Sequence, residues 1–156
     1  MDKISFSKRT GSLQALKAVT AGLVIAYLLL ALMESDFLWL FKFTYAPTLL
    51  FGVVITYSSG FILGRLAGKL ILIKKWPDMI TGFFFGFIII WISTFIASLP
   101  AFFMEGNGKP GEIFNYIGKP LGLITMYGGI PVFVIGLWFG NSITRKARKF
   151  SEENTA

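Results

Sequence analysis

The chain has 156 residues, 54% of them hydrophobic and 17% aromatic, and its 15% of charged residues falls well below the roughly one quarter usual in a soluble domain. It contains neither cysteine nor histidine, which excludes disulfides, thiol nucleophiles, imidazole acid–base catalysis and the usual zinc sites. A net charge of +7 would point to nucleic acid in a soluble protein. Here the apolar residues form long uninterrupted blocks, so the basic residues are read as flanks of membrane spans, with no nucleic acid and no cofactor expected.

Residues 1–17 read as a basic cytoplasmic tail, and the first apolar block, 18–33, as a span that reaches full length only with its polar flanks. A cleaved signal peptide is the competing reading of this block, but its exit, Ala31-Leu32-Met33-Glu34, lacks the small residue that cleavage requires. The second span covers 46–64. Within and beyond it Thr48, Gly52, Thr56, Gly60, Gly64 and Gly68 recur every four residues. Such a stripe lets two helix backbones approach closely, which drives helix pairing where apolar burial has no force. Span one carries a shorter version in Ala18, Gly22 and Ala26.

The stretch from Gly64 to Leu70 imitates a P-loop, but only three residues separate its glycines and no Ser or Thr follows Lys69. Arg65, Lys69, Lys74 and Lys75 are read instead as contacts to anionic lipid headgroups, on a helix that runs on from span two into the interface.

The third span, 79–104, is longer than a bilayer requires and is expected to tilt, or to bend at Pro100. It opens on the packing pair Gly82 and Gly86. Residues 106–111, Gly-Asn-Gly-Lys-Pro-Gly, match the dinucleotide fingerprint G-x-G-x-x-G letter for letter. No strand–helix–strand unit surrounds them, and Pro110 removes an N–H donor, so the sequence is read as a chain-reversing turn. Gly108-Lys109-Pro110 recurs as Gly118-Lys119-Pro120, bracketing an amphipathic segment with Phe114, Tyr116 and Ile117 that is read as a plain structured loop, the alternative being a contact surface for an external partner or peptide.

The fourth span covers 121–140, with Gly122, Gly129 and Gly136 spaced seven apart as a left-handed crossing would want. Residues 141–156 read as a second basic tail, in which Arg145, Lys146, Arg148 and Lys149 meet anionic lipid. Counted along the chain, the basic residues of the five non-membrane segments number 4, 1, 4, 2 and 4. That alternation places both termini in the cytoplasm.

The expected fold class is therefore an all-α membrane protein, four transmembrane helices in one bundle. No ionisable residue falls inside a span, which argues against proton-coupled carriers and intramembrane hydrolases. Hydroxyl and amphipathic side chains such as Thr56, Ser58, Ser93, Thr94, Trp91 and Thr125 remain. They either line a small polar cavity or bond to a carbonyl one turn back. Four acids, Glu34, Asp36, Glu105 and Glu112, lie on the outer side without the spacing of a metal site.

The stretch Tyr127-Gly128-Gly129-Ile130-Pro131-Val132-Phe133 resembles the closing span of small uncharacterised four-span membrane proteins of Bacillus-type Gram-positive bacteria. The resemblance implies a plasma membrane and no particular activity. Taken together, these features lead to a non-enzymatic accessory, regulatory or immunity-type partner of a membrane protein. A small homo-oligomeric channel or transporter is the alternative.

Overall fold

A computed structural model describes residues 3–34 and 46–153 of the chain. Four long helices account for most of them: α1 (Lys3–Glu34), α2 (Ala46–Leu72), α3 (Asp78–Met104) and α4 (Lys119–Glu153). No strand occurs among the described residues. All four are long and apolar enough to cross a membrane. At 1.5 Å per residue, α2 and α3 reach about 40 Å, α1 about 48 Å and α4 about 52 Å, against a hydrocarbon layer of about 30 Å.

Two segments read as tails are helical. Residues 3–17 continue α1, and residues 141–153 continue α4. Both stretches are polar without being helix-breaking: each is free of proline, and rich in Lys, Arg, Ala, Leu or Gln. A bilayer sets where apolar residues stop, but not where a helix stops. Residues 35–45, with Asp36 and Lys42, lie outside the described residues.

The connection between α2 and α3 is short. Lys75 takes φ 54°, and the amides of Ile73 and Trp76 donate to the carbonyls of Lys69 (3.0 Å) and Leu70 (3.2 Å), closing the end of α2. The start of α3 is tied by Met79 N–H to Asp78 Oδ1 (2.8 Å) and by Thr81 Oγ1 to the Pro77 carbonyl (2.7 Å).

The Gly-Asn-Gly-Lys-Pro-Gly stretch proves to be the C-terminal cap of α3. Asn107 and Gly108 sit at φ 52° and 64°, and Gly106 and Gly108 donate their amides to Ala101 (3.3 Å) and Phe102 (3.1 Å). Those amides are spent on the helix they terminate, so none is left to cradle a phosphate. Pro110 then opens a short 3-10 turn, Pro110–Glu112, and Phe114–Gly118 form a turn of π-helix running directly into α4. Pro120 gives a physical reason for the wide turn. A proline has no N–H and its ring clashes with the carbonyl four residues back, here Tyr116, and a π-turn relieves that crowding. Within the loop, Ile117 is buried and Tyr116 half-buried, while Phe114 is exposed.

The helices alternate in direction, so the start of α1, the α2–α3 turn and the end of α4 share one end of the bundle, called here the terminal end. The 110–118 segment marks the loop end. Phe6 and Phe150 stack at 4.3 Å across the terminal end. The buried core is Ala15, Ala18, Ala67, Ile71, Phe139 and Ile143, with Leu72, Phe85 and Ile135 against it. That cluster lies in the terminal half, while Ala31, Phe102 and Ile117 are buried separately toward the loop end. Toward the loop end, Leu50, Val54, Phe103 and Leu123 are exposed.

Candidate functional site

The residues singled out in the sequence sort into three structural groups, beginning with the glycines. α1 and α2 form one antiparallel hairpin, joined at the terminal end by glycine. A Cβ placed on Gly64 would collide with Ala15 Cβ and lie 2.8 Å from the Gly11 carbonyl. On Gly68 it would strike the Ser7 carbonyl, and on Gly60 it would stand 2.8 Å from Val19. α3 and α4 repeat the arrangement. Gly82 meets the Gly136 carbonyl and Gly140, Gly140 meets the Asp78 carbonyl, and Gly86 faces Gly136 Cα at 3.4 Å.

Three of the glycines read as crossing positions, Gly52, Gly122 and Gly129, do not take part. Around each of them nothing lies within 4 Å of an added Cβ, so none packs a helix of this chain among the described residues. Gly52 and Gly122 sit toward the loop end, and Gly129 lies four residues on the terminal side of Thr125. Thr56, in the same stripe, is half-buried and donates to the Gly52 carbonyl at 2.8 Å, along its own helix.

Conversely, Gly11 and Gly140 are packing positions that the sequence reading leaves out. The signal is present: Ser7, Gly11 and Ala15 follow each other at intervals of four, and so do Gly136 and Gly140. Gly11 escapes notice because it falls in a polar stretch that resembles a tail, outside any apolar block.

The hydroxyls form the second group. Ser58, Ser93, Ser98 and Thr125 all bond the carbonyl four residues earlier, at 2.8, 2.6, 2.8 and 2.7 Å. Of the two readings open from sequence, self-satisfaction along the helix is the observed one for these four. Other bonds cross between helices. Thr20 Oγ1 and Tyr57 Oη meet at 2.9 Å between α1 and α2, and Trp91 Nε1 donates to Thr125 Oγ1 at 3.0 Å between α3 and α4. Each hairpin thus has a glycine crossing near the terminal end and a polar tie further along. In both, the tie lies nine residues from the crossing glycine of the first helix, Gly11 to Thr20 and Gly82 to Trp91.

The third group is basic. Arg65, Lys69, Lys74, Lys75, Arg145, Lys146, Arg148 and Lys149 are all exposed and all belong to the terminal end. The Arg65 guanidinium lies 5.2 Å from the Phe61 ring centroid. In the sequence, the two tails and the 65–78 connection carry twelve basic and four acidic residues, a net of +8, and the other two connections three basic and four acidic, a net of −1. Among the described residues no three acidic side chains come together. The side chains of Glu34 and Asp36 lie outside the described set.

Comparison with family models, curated proteins and solved structures gives no match for this chain.

Proposed function

We propose that the protein is a non-enzymatic accessory, regulatory or immunity-type partner in the plasma membrane, both termini cytoplasmic, which docks on another membrane protein through helix faces that its own helices leave uncovered. The observation that carries this reading is the contrast within the bundle. Its glycine contacts close the terminal half, while Gly52 and Gly129 leave backbone accessible on faces that no helix of this chain covers among the described residues. Small residues on an exposed helix face are where another helix approaches most closely. A chain without His or Cys, whose span hydroxyls are turned back on their own helices, offers surfaces rather than reacting groups. The +8 terminal end favours the cytoplasmic side, since basic residues are retained there and meet anionic lipid.

The test is crosslinking in the native membrane followed by mild-detergent purification and mass spectrometry. A distinct second protein at near-equal yield, reduced in Gly129→Leu, supports the partner reading. Recovery of self-crosslinked species alone replaces it with the homo-oligomeric channel or transporter. Orientation is tested separately by thiol labelling of K109C and R148C. The proposed orientation requires Lys109→Cys to react from outside and Arg148→Cys only after permeabilisation.

A further inference from the structure

Between α3 and α4, toward the loop end, lies an apolar groove of about 670 Å³ walled by Trp91 and Phe95 on one side and Leu121, Gly122 and Met126 on the other. Its polar atoms are spent on each other or on backbone: Trp91 Nε1 donates to Thr125 Oγ1, which donates to the Leu121 carbonyl. An apolar guest therefore leaves no donor or acceptor stranded. Gly122 is one of its walls, and a Cβ there would meet nothing within 4 Å.

Its depth matches a single leaflet. Trp91 is the fourteenth of the 27 residues of α3, so the Trp91–Thr125 tie marks the middle of the membrane-crossing region. From Thr125 the groove runs toward the loop end. Lys119, six residues before Thr125, stands about 9 Å above it at 1.5 Å per residue. Half a hydrocarbon layer is about 15 Å, and the long aliphatic stem of a lysine spans the remainder by snorkelling. Lys119 is exposed and shares a helix face with Gly122 and Met126 at spacings of three and seven residues. Lys119 thus stands at headgroup depth, two residues before the first α4 residue that lines the slot, Leu121. The carboxylate of Glu112 on the same side accepts from Asn115 Nδ2 at 2.7 Å.

We propose that this groove binds one acyl chain of an anionic phospholipid whose phosphate is held by Lys119. The site needs only that the helices cross a membrane, and does not depend on the partner proposed above.

The experiment uses the full chain with Trp39, Trp76 and Trp138 replaced by phenylalanine, so that Trp91 alone fluoresces. It is reconstituted in vesicles of phosphatidylcholine doped with either phosphatidylglycerol or phosphatidylcholine brominated on its acyl chains. Brominated phosphatidylglycerol should quench Trp91 at about a fivefold lower mole fraction than brominated phosphatidylcholine, the preference one lysine near the surface confers. Lys119→Gln should abolish that preference, and Gly122→Leu, which fills the groove without meeting protein, should reduce quenching by phosphatidylglycerol. Equal quenching by the two lipids in the parent chain overturns the proposal in favour of unselective bilayer contact. Absence of quenching by either overturns it in favour of a groove covered by protein. A companion chain retaining only Trp138, quenched by both lipids alike, separates these outcomes from failure to insert.

Discussion

At the terminal end the helices touch through backbone: Gly64 on Ala15, Gly68 on Ser7, Gly82 on Gly136, Gly140 on Asp78. Toward the loop end the same helices carry Leu50, Val54, Phe103 and Leu123 outward, and Gly52 and Gly122 touch nothing among the described residues. In water the second half would be a defect. In a bilayer the lipid tails solvate leucine as well as another helix does, so exposed apolar side chains carry no penalty and their burial supplies no drive. Helices associate where their backbones come close enough for dense van der Waals contact, or where a polar pair finds its partner. The terminal half uses the first mechanism, and the Thr20–Tyr57 and Trp91–Thr125 ties use the second.

Substitutions can break that contrast, and the largest effect belongs to the glycine contacts. Gly64→Leu or Gly82→Leu forces side-chain atoms into backbone of the neighbouring helix, which cannot yield as a flexible side chain does. Either should lower stability in detergent by about 3 kcal/mol or more, read from unfolding in a denaturing-detergent titration. A mild effect of both would mean that the helices are held elsewhere.

Next comes the charge of the terminal end. Replacing Arg145, Lys146, Arg148 and Lys149 by glutamine should weaken association with anionic lipid by about 1 kcal/mol per residue removed. The measurement is the fraction of anionic lipid retained around the purified protein, and the effect should shrink as salt is raised.

The polar ties are smaller. Thr20→Val and Thr125→Val should each cost about 0.6 kcal/mol, the mean for an interhelical side-chain hydrogen bond in a membrane protein. A double variant should show additive losses, since the two ties lie in different hairpins.

Smallest is Gly129→Leu. With open space around it, its effect on the stability of the isolated chain should stay within about 0.5 kcal/mol, while crosslinking to a membrane partner falls. A large stability loss here would mean that Gly129 is packed after all and remove the basis for an open docking face.

How much of this is legible from sequence depends on which physical signal each feature leaves. The four helices are written in apolar block length. Gly60, Gly64, Gly68, Gly82 and Gly136 are written in small-residue spacing, and contact neighbours as that spacing implies. Gly52 belongs to the same periodic stripe and is left without a partner among the described residues, because periodicity defines a face of one helix and says nothing about how far along its length a second helix runs beside it. Gly11 is hidden for the opposite reason. Helix α1 runs beyond the apolar block that announces it, and its closest crossing lies in that polar extension. The dinucleotide look-alike at 106–111 is separable by context alone, since a phosphate cradle needs a strand before it and free amides within it.

By itself the sequence determined the properties that add up residue by residue along a helix: four apolar segments, their end-to-end charge asymmetry, and the absence of thiol and imidazole chemistry. Those are one-dimensional quantities, fixed once the residues are read in order. Only the tertiary structure decided which half of the bundle closes, that Trp91 finds Thr125, and that Gly122 lines a groove between α3 and α4. Such features depend on the angle and depth at which two helices cross. A side chain missing from one helix becomes a tight contact or an open slot according to what the other helix places opposite it.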